Sequence, residues 1–294
     1  MRLLRILAAI FLPLITLPSV ANAQNPEDSR EIVAWGDSLT EGLHASSPEH
    51  TYPFVAGKLF SPPRTVLNRG VTGQKSTAIA ARQGGLPVFL QLPNNEIAAA
   101  GDTAIQSMNV EAISRGGLQA FEGHIGNVEG TLNRLPDASF VFTRKSQGTA
   151  ETCGPCEFEF YGNEEAAGKI TWIWVGRNNA ADGRRIEDDV DAMVKHVGHD
   201  RFLIASITTR ASDKDSRLAA IHQVNANLQN KYGDRYVDVL SILLQSGTDK
   251  EGDAKFLKRG IVPKSLRSDD VHLNDLGYSL VAKAFVDRTN KMGW

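Results

Sequence analysis

The stretch Glu31-Ile32-Val33-Ala34-Trp35, followed at once by Gly36-Asp37-Ser38-Leu39-Thr40-Glu41-Gly42, decides how this chain is read. A short apolar run predicts a buried strand, and the glycine and aspartate that end it set a serine on a turn. In open α/β sheets the chemistry sits at the ends of such strands. A serine hydroxyl is a weak nucleophile at neutral pH. It needs a base, an acid to orient the base, and donors for the oxyanion, all of which the rest of the chain must supply.

Upstream of the strand, residues 1–23 read as a secretory signal. Arg2 and Arg5 form a basic start, Ile6 to Val20 an apolar core, and Ala21-Asn22-Ala23 a small-residue cleavage site. The core is too short to span a bilayer comfortably, and residue 24 is Gln, so neither a stable membrane anchor nor lipid attachment is expected. The chain is therefore expected to be exported, to a periplasmic or extracellular place. Removing the signal takes two arginines from a chain of net charge −2. Basic pairs such as Arg184-Arg185 and Lys258-Arg259 are dispersed without aromatic interleaving, so no nucleic-acid partner is expected.

Downstream, the chain divides into three stretches. From Ile32 to Arg82 the order is strand, helix (Tyr52 to Leu59), strand (Thr65 to Leu67), helix (Ser76 to Arg82), which predicts a parallel sheet. The alternation resumes with strands at Ile170 to Val175, Phe202 to Ile207 and Tyr236 to Leu244. Between them lie helices marked by Ile186, Val190 and Met193 and by Leu218, Ile221 and Val224, and a last helix starts near Asp275 behind an Asn274 cap. Residues 84–165 differ, with short strand-like runs between Gly, Pro, Asn and Asp. They are read as an inserted all-β subdomain, leaving 24–83 and 166–294 as one discontinuous α/β domain.

Of seven histidines, His272 has the setting of a base. In Asp269-Asp270-Val271-His272 a short loop lets a carboxylate three residues upstream turn onto the imidazole, orienting its other nitrogen towards Ser38. Asp269 is the favoured acid and Asp270 the alternative. Two glycine-bearing segments after predicted strands offer oxyanion donors: Asn68-Arg69-Gly70-Val71-Thr72-Gly73 and Gly176-Arg177-Asn178-Asn179.

Taken in order, these four segments resemble the four signature blocks of the SGNH (GDSL-type) hydrolases, over residues 31–83 and 169–290. The resemblance implies a three-layer α/β/α sandwich around a parallel sheet of flavodoxin-like topology. It also implies Ser38 as nucleophile and first backbone donor, Gly73 as second donor, Asn178 as side-chain donor, and Asp269 with His272 as acid and base. Gly70 remains an alternative donor, although the family's Asn-x-x-x-x-Gly spacing runs from Asn68 to Gly73. Where the family's third block usually ends in Asp this chain has Asn179, so a charge is missing there.

Cys153-Gly154-Pro155-Cys156 matches the thioredoxin redox motif, yet a strand-like run follows it, so a local disulfide at a hairpin tip is expected. His196 and His199 lack a third ligand and are read as a solvated helix end, and His44 as loop surface. Trp172 and Trp174 are read as core. Arg177 is left between substrate contact and surface. The expected function is an exported serine esterase acting on short-chain or acetyl esters, of a small molecule or a carbohydrate, with no metal or organic cofactor. A lipid acyl hydrolase, a non-catalytic carbohydrate-binding scaffold and a thiol oxidoreductase are the alternatives.

Overall fold

The structure, a computed structural model, describes residues 30–114, 116–248 and 252–294. The expected export signal, residues 1–23, lies outside them. Among the described residues no helix is long and apolar enough to cross a membrane.

Five strands form the main sheet: Ile32–Gly36 (β1), Val66–Gly70 (β2), Ile170–Trp174 (β3), Phe202–Ala205 (β4) and Tyr236–Val237 (β5). All are parallel, in the order β5-β4-β3-β1-β2. β1 and β3 are buried at every position, so each carries an unbroken apolar run rather than an alternating one. Crossovers between parallel strands are right-handed. The step from β1 to β2 and the step back from β2 to β3 run in opposite directions along the sheet, which puts their helices on opposite faces. Tyr52–Leu59 accordingly packs with the last helix, Asp275–Lys291, while Ser76–Gln83 packs with Gly183–Val197.

The first face is closed by stacked rings. Phe285 lies 5.4 Å from Tyr52 and 4.6 Å from Trp172, centroid to centroid. Trp174 is buried as well, with its indole N–H donating to Ser206 O at 3.0 Å, so both tryptophans belong to the core.

One expected strand is shorter than read. Tyr236 to Leu244 breaks after β5 into the helix Val239–Gln245, because Asp238 caps it: Oδ1 accepts from Ser241 N at 3.1 Å and Oδ2 from Ser241 Oγ at 2.6 Å. An apolar run of this length does not distinguish a strand from a buried helix by period alone, and the Asp-x-x-Ser cap was the signal to use.

Between Ser76–Gln83 and β3 the chain builds an antiparallel sheet of seven short strands with its own apolar core, including Leu90, Ile113, Leu132, Phe142 and Phe158. Its first and last main strands, Val88–Gln91 and Glu157–Phe160, pair with each other, so the chain enters and leaves side by side. One of these strands is Ala120–Ile125. It turns through Gly126-Asn127 into Val128–Arg134, with Gly126 at φ +55° as a two-residue hairpin requires. Cys153 and Cys156 are bonded to each other, Cα atoms 4.9 Å apart. The strand Glu157–Phe160 follows Cys156, so neither sulfur heads a helix that would lower its pKa in the thioredoxin manner.

Candidate active site

The strand order reverses between β1 and β3, and the loops leaving their C-terminal ends open a crevice there. Gly36 ends β1 because nothing larger fits: a Cβ would lie 2.0 Å from Thr40 Oγ1 and 2.7 Å from Trp174 O. Asp37 then caps a single helical turn, Ser38–Glu41, its Oδ1 accepting from Leu39 N at 3.0 Å. Ser38 is the first residue of that turn, so its backbone N–H has no intrahelical acceptor. Its side chain is nearly buried.

His272 Nε2 stands 2.9 Å from Ser38 Oγ, and His272 Nδ1 stands 2.8 Å from Asp269 Oδ2. The loop fixes the carboxylate from below, since Asp269 Oδ1 accepts from the amides of Val271 (2.8 Å) and His272 (2.6 Å). Burial works to raise the Asp269 pKa, but the His272 side chain and these amides outweigh it and hold the group at about 2. Asp269 is thus ionised wherever a neutral imidazole exists to be oriented. Asp270 faces away, accepting from Ser212 N and Oγ at 2.8 and 2.7 Å.

The second-block glycines separate cleanly. Gly70 N donates to Asn68 Oδ1 at 2.9 Å, and a Cβ at Gly70 would lie 1.9 Å from Glu41 N, so this glycine serves close packing of β2 against the serine turn. Gly73 adopts φ +78°, and among the described residues its amide has no acceptor. Asn178 Nδ2 donates to Gln74 O at 2.8 Å and to Asp37 Oδ2 at 3.3 Å. Both amide protons of Asn178 are therefore engaged, the one to Asp37 by the longer bond.

Burial raises the Asp37 pKa to about 7, although the Leu39 amide and the charge of Arg177 pull it down. The native state then holds a proton that the unfolded chain, with an ordinary carboxylate, has released above about pH 4. Stability should fall as pH rises from about 4 to about 7, and Asp37→Asn should flatten that fall. Melting temperatures of the two proteins across this range check it; parallel slopes would show that Asp37 does not titrate there.

Arg177 is neither a substrate contact nor surface. It is buried, with Nη1 and Nη2 donating to Asp213 at 2.9 and 3.1 Å and Nη1 also donating to Thr208 O. Asn179 ties the third loop to the start of Ser76–Gln83: its Oδ1 accepts from Ser76 N at 3.1 Å and its Nδ2 donates to Ser76 Oγ at 2.9 Å. A carboxylate nevertheless stands close to position 179. Asp189, on the facing helix, accepts from Ser76 Oγ and Thr77 Oγ1 at 2.6 and 2.7 Å.

Three contacts escaped the sequence reading. Glu41 accepts from Thr72 N and Oγ1, both at 2.6 Å, joining the serine turn to the second loop. Gln74 is held by Arg82 Nε (3.0 Å) and donates to Ala112 O (2.9 Å), so the β insertion braces the residue that follows Gly73. His44, read as loop surface, places Nε2 3.3 Å from Asp269 Oδ2. His196 instead packs over Gly84, and His199 Nδ1 accepts from Arg201 N.

A cavity of about 500 Å³ lies between β2 and the insertion, lined by Trp35, Arg69, Arg82, Leu118, Phe121 and Tyr161 among others. Another of about 600 Å³ runs beside the serine turn past Thr51, Phe54 and Val66. Asn68 borders both.

No protein-family model matches the sequence. Among solved structures, a member of the lipolytic protein G-D-S-L family from Veillonella parvula superposes with TM-score 0.50 at 14% identity, over 87% of this chain and 96% of that one. The fold is that of the G-D-S-L lipolytic proteins. A Bacteroides fragilis protein named an acylhydrolase gives the same TM-score, 0.50, at 14% identity over 90% of this chain and 89% of its own. At such identity the likeness to the G-D-S-L proteins is one of fold. In sequence, the chain is 28% identical over 237 residues to a tail spike protein of Salmonella phage epsilon15, a match that takes in 70% of this chain. The chain spans 22% of the length of that relative.

Proposed function

We propose that this chain is an exported serine esterase that cleaves short-chain or acetyl esters carried on carbohydrate. One observation carries the reading: Ser38 Oγ, His272 Nε2 and Nδ1, and Asp269 Oδ2 form an unbroken line of contacts at 2.9 and 2.8 Å. His272 takes the Ser38 proton as Oγ attacks the ester carbonyl. The amides of Ser38 and Gly73 and the side chain of Asn178 hold the oxyanion. The imidazolium, steadied by ionised Asp269, returns its proton to the leaving alcohol, and water activated by His272 frees the acid from the acyl-enzyme.

The mixed aromatic and charged lining of the cavity at the insertion supports a sugar as the alcohol part, with rings to stack and polar groups to orient it. A fluorophosphonate should label the wild type at Ser38 and leave Ser38→Ala unlabelled. The unreduced protein should give no reaction with a thiol reagent, because Cys153 and Cys156 are paired. Across nitrophenyl esters kcat/KM should peak at acetyl or the next short chains, with acetate released from an acetylated glycan. A peak at long acyl chains would replace this substrate with a lipid one, and absence of labelling would leave a binding scaffold.

A further inference from the structure

Asp269 is bracketed by two imidazoles. His272 Nδ1 approaches Oδ2 at 2.8 Å from one side and His44 Nε2 at 3.3 Å from another, with the two rings 5.2 Å apart, centroid to centroid. The ligand atoms that these three residues offer all lie within 4.8 Å of one another. Donors about 2.0–2.2 Å from a tetrahedral Zn²⁺ are roughly 3.4 Å apart, so the His44 to Asp269 spacing already fits, the His272 to Asp269 contact opens by about half an ångström, and the two imidazole nitrogens, within 4.8 Å of each other, draw together. About half of the His44 side chain is exposed, which gives an ion a way in.

The His44 position is also held in place. It has φ +67°, a left-handed backbone that is strained for a non-glycine residue. Its loop is fastened to the Asp269–His272 region from both sides. Tyr278 Oη donates to Leu43 O at 2.7 Å, and Ser46 N and Oγ donate to Asp275 at 2.8 and 2.6 Å. The strained residue is thereby kept against the Asp269 carboxylate.

We infer that His44, Asp269 and His272 form a site for Zn²⁺ or a similar borderline divalent ion, with water as fourth ligand, and that filling this site switches the serine off. The switching rests on His272 acting as the base; the binding does not. When the metal takes the Nδ1 lone pair of His272, the single proton of the neutral ring moves to Nε2, so no net proton leaves. Nε2–H then only donates towards Ser38 Oγ and no longer accepts its proton. Asp269 spends its charge on the metal instead of orienting the imidazole.

The test uses zinc titration followed by calorimetry and by ester hydrolysis. Ser38→Ala, which keeps all three ligands, should bind one Zn²⁺ per chain, and adding His44→Ala or His44→Gln should weaken binding at least tenfold. In the wild type, saturating Zn²⁺ should lower nitrophenyl acetate hydrolysis at least tenfold, with full recovery on EDTA. Measured against its own metal-free rate, His44→Ala should need at least ten times more Zn²⁺ for the same fractional loss. Equal zinc affinity with and without His44, or one bound Zn²⁺ with hydrolysis intact, overturns the inference. If no ester is hydrolysed at all, the esterase reading falls while calorimetry still decides the metal site.

Discussion

Ser38→Ala should lower kcat/KM on short nitrophenyl esters by on the order of 10⁴-fold or more, while the melting temperature stays within a degree or two of the wild type. Both halves follow from the site. In the proposed mechanism the hydroxyl supplies the attacking atom, so its loss would leave only binding and oxyanion donors to assist water. Yet Ser38 Oγ makes its contact with His272 alone among the described residues, and Ala suits the helical turn Ser38–Glu41 at least as well as Ser does. His272→Ala should cost a similar factor, and the double variant scarcely more than either single one, because the two side chains act as one proton-transfer unit. Additive losses, or a Ser38→Ala enzyme that retains most of its rate, would place the nucleophile elsewhere.

Arg177→Ala should destabilise the fold by about 3–5 kcal/mol, because it strands a fully buried carboxylate. The Asp213 side chain is 0% exposed and Arg177 is its bidentate partner. Arg210 and Arg217 also approach Asp213, at 3.4 and 3.9 Å, which argues for the lower end of that range. Arg177→Met combined with Asp213→Leu, which removes both charges and fills the space with apolar atoms, should recover most of the loss. Urea denaturation reads this directly as a shift in midpoint at constant slope. A single-variant loss below about 1 kcal/mol would mean that Arg210 and Arg217, or water, suffice to satisfy Asp213. Because Arg177 directly precedes Asn178, the single variant should also lose activity before it unfolds.

What the sequence disclosed depended on how local each interaction is. Asp269 and His272 are three residues apart, so a turn alone brings them together and the pair could be read directly. The Ser38 to His272 contact spans 234 residues, and only the order of the four segments and their family likeness pointed to it. β1 and β3 were legible because strands buried on both faces carry unbroken apolar runs. Arg177 was not, since its partner lies in a loop 36 residues away that no periodicity marks. Nor was His44, whose carboxylate partner comes from the opposite end of the chain. That the Asn68 side chain folds back onto the Gly70 amide while the Gly73 amide is left without an acceptor among the described residues is a rotamer matter that spacing does not encode.

The antiparallel pairing of Val88 with Phe158 has a kinetic consequence. β1 and β3, the central pair of the main sheet, join residues such as Ile32 and Ile170, 138 positions apart. Closing so long a loop is slow, and parallel pairing gives no reward until it closes. Within the insertion the strands Ala120–Ile125, Val128–Arg134 and Phe140–Arg144 pair each with its neighbour in sequence, so this meander can form first, and once Val88 meets Phe158 the whole stretch between them drops out of the search. Each halving of loop length is worth only about 0.6 kcal/mol in closure entropy, so the benefit lies in time more than in final stability. The inserted sheet is in this sense a folding clasp, bringing the two strands that flank the serine crevice within reach of each other.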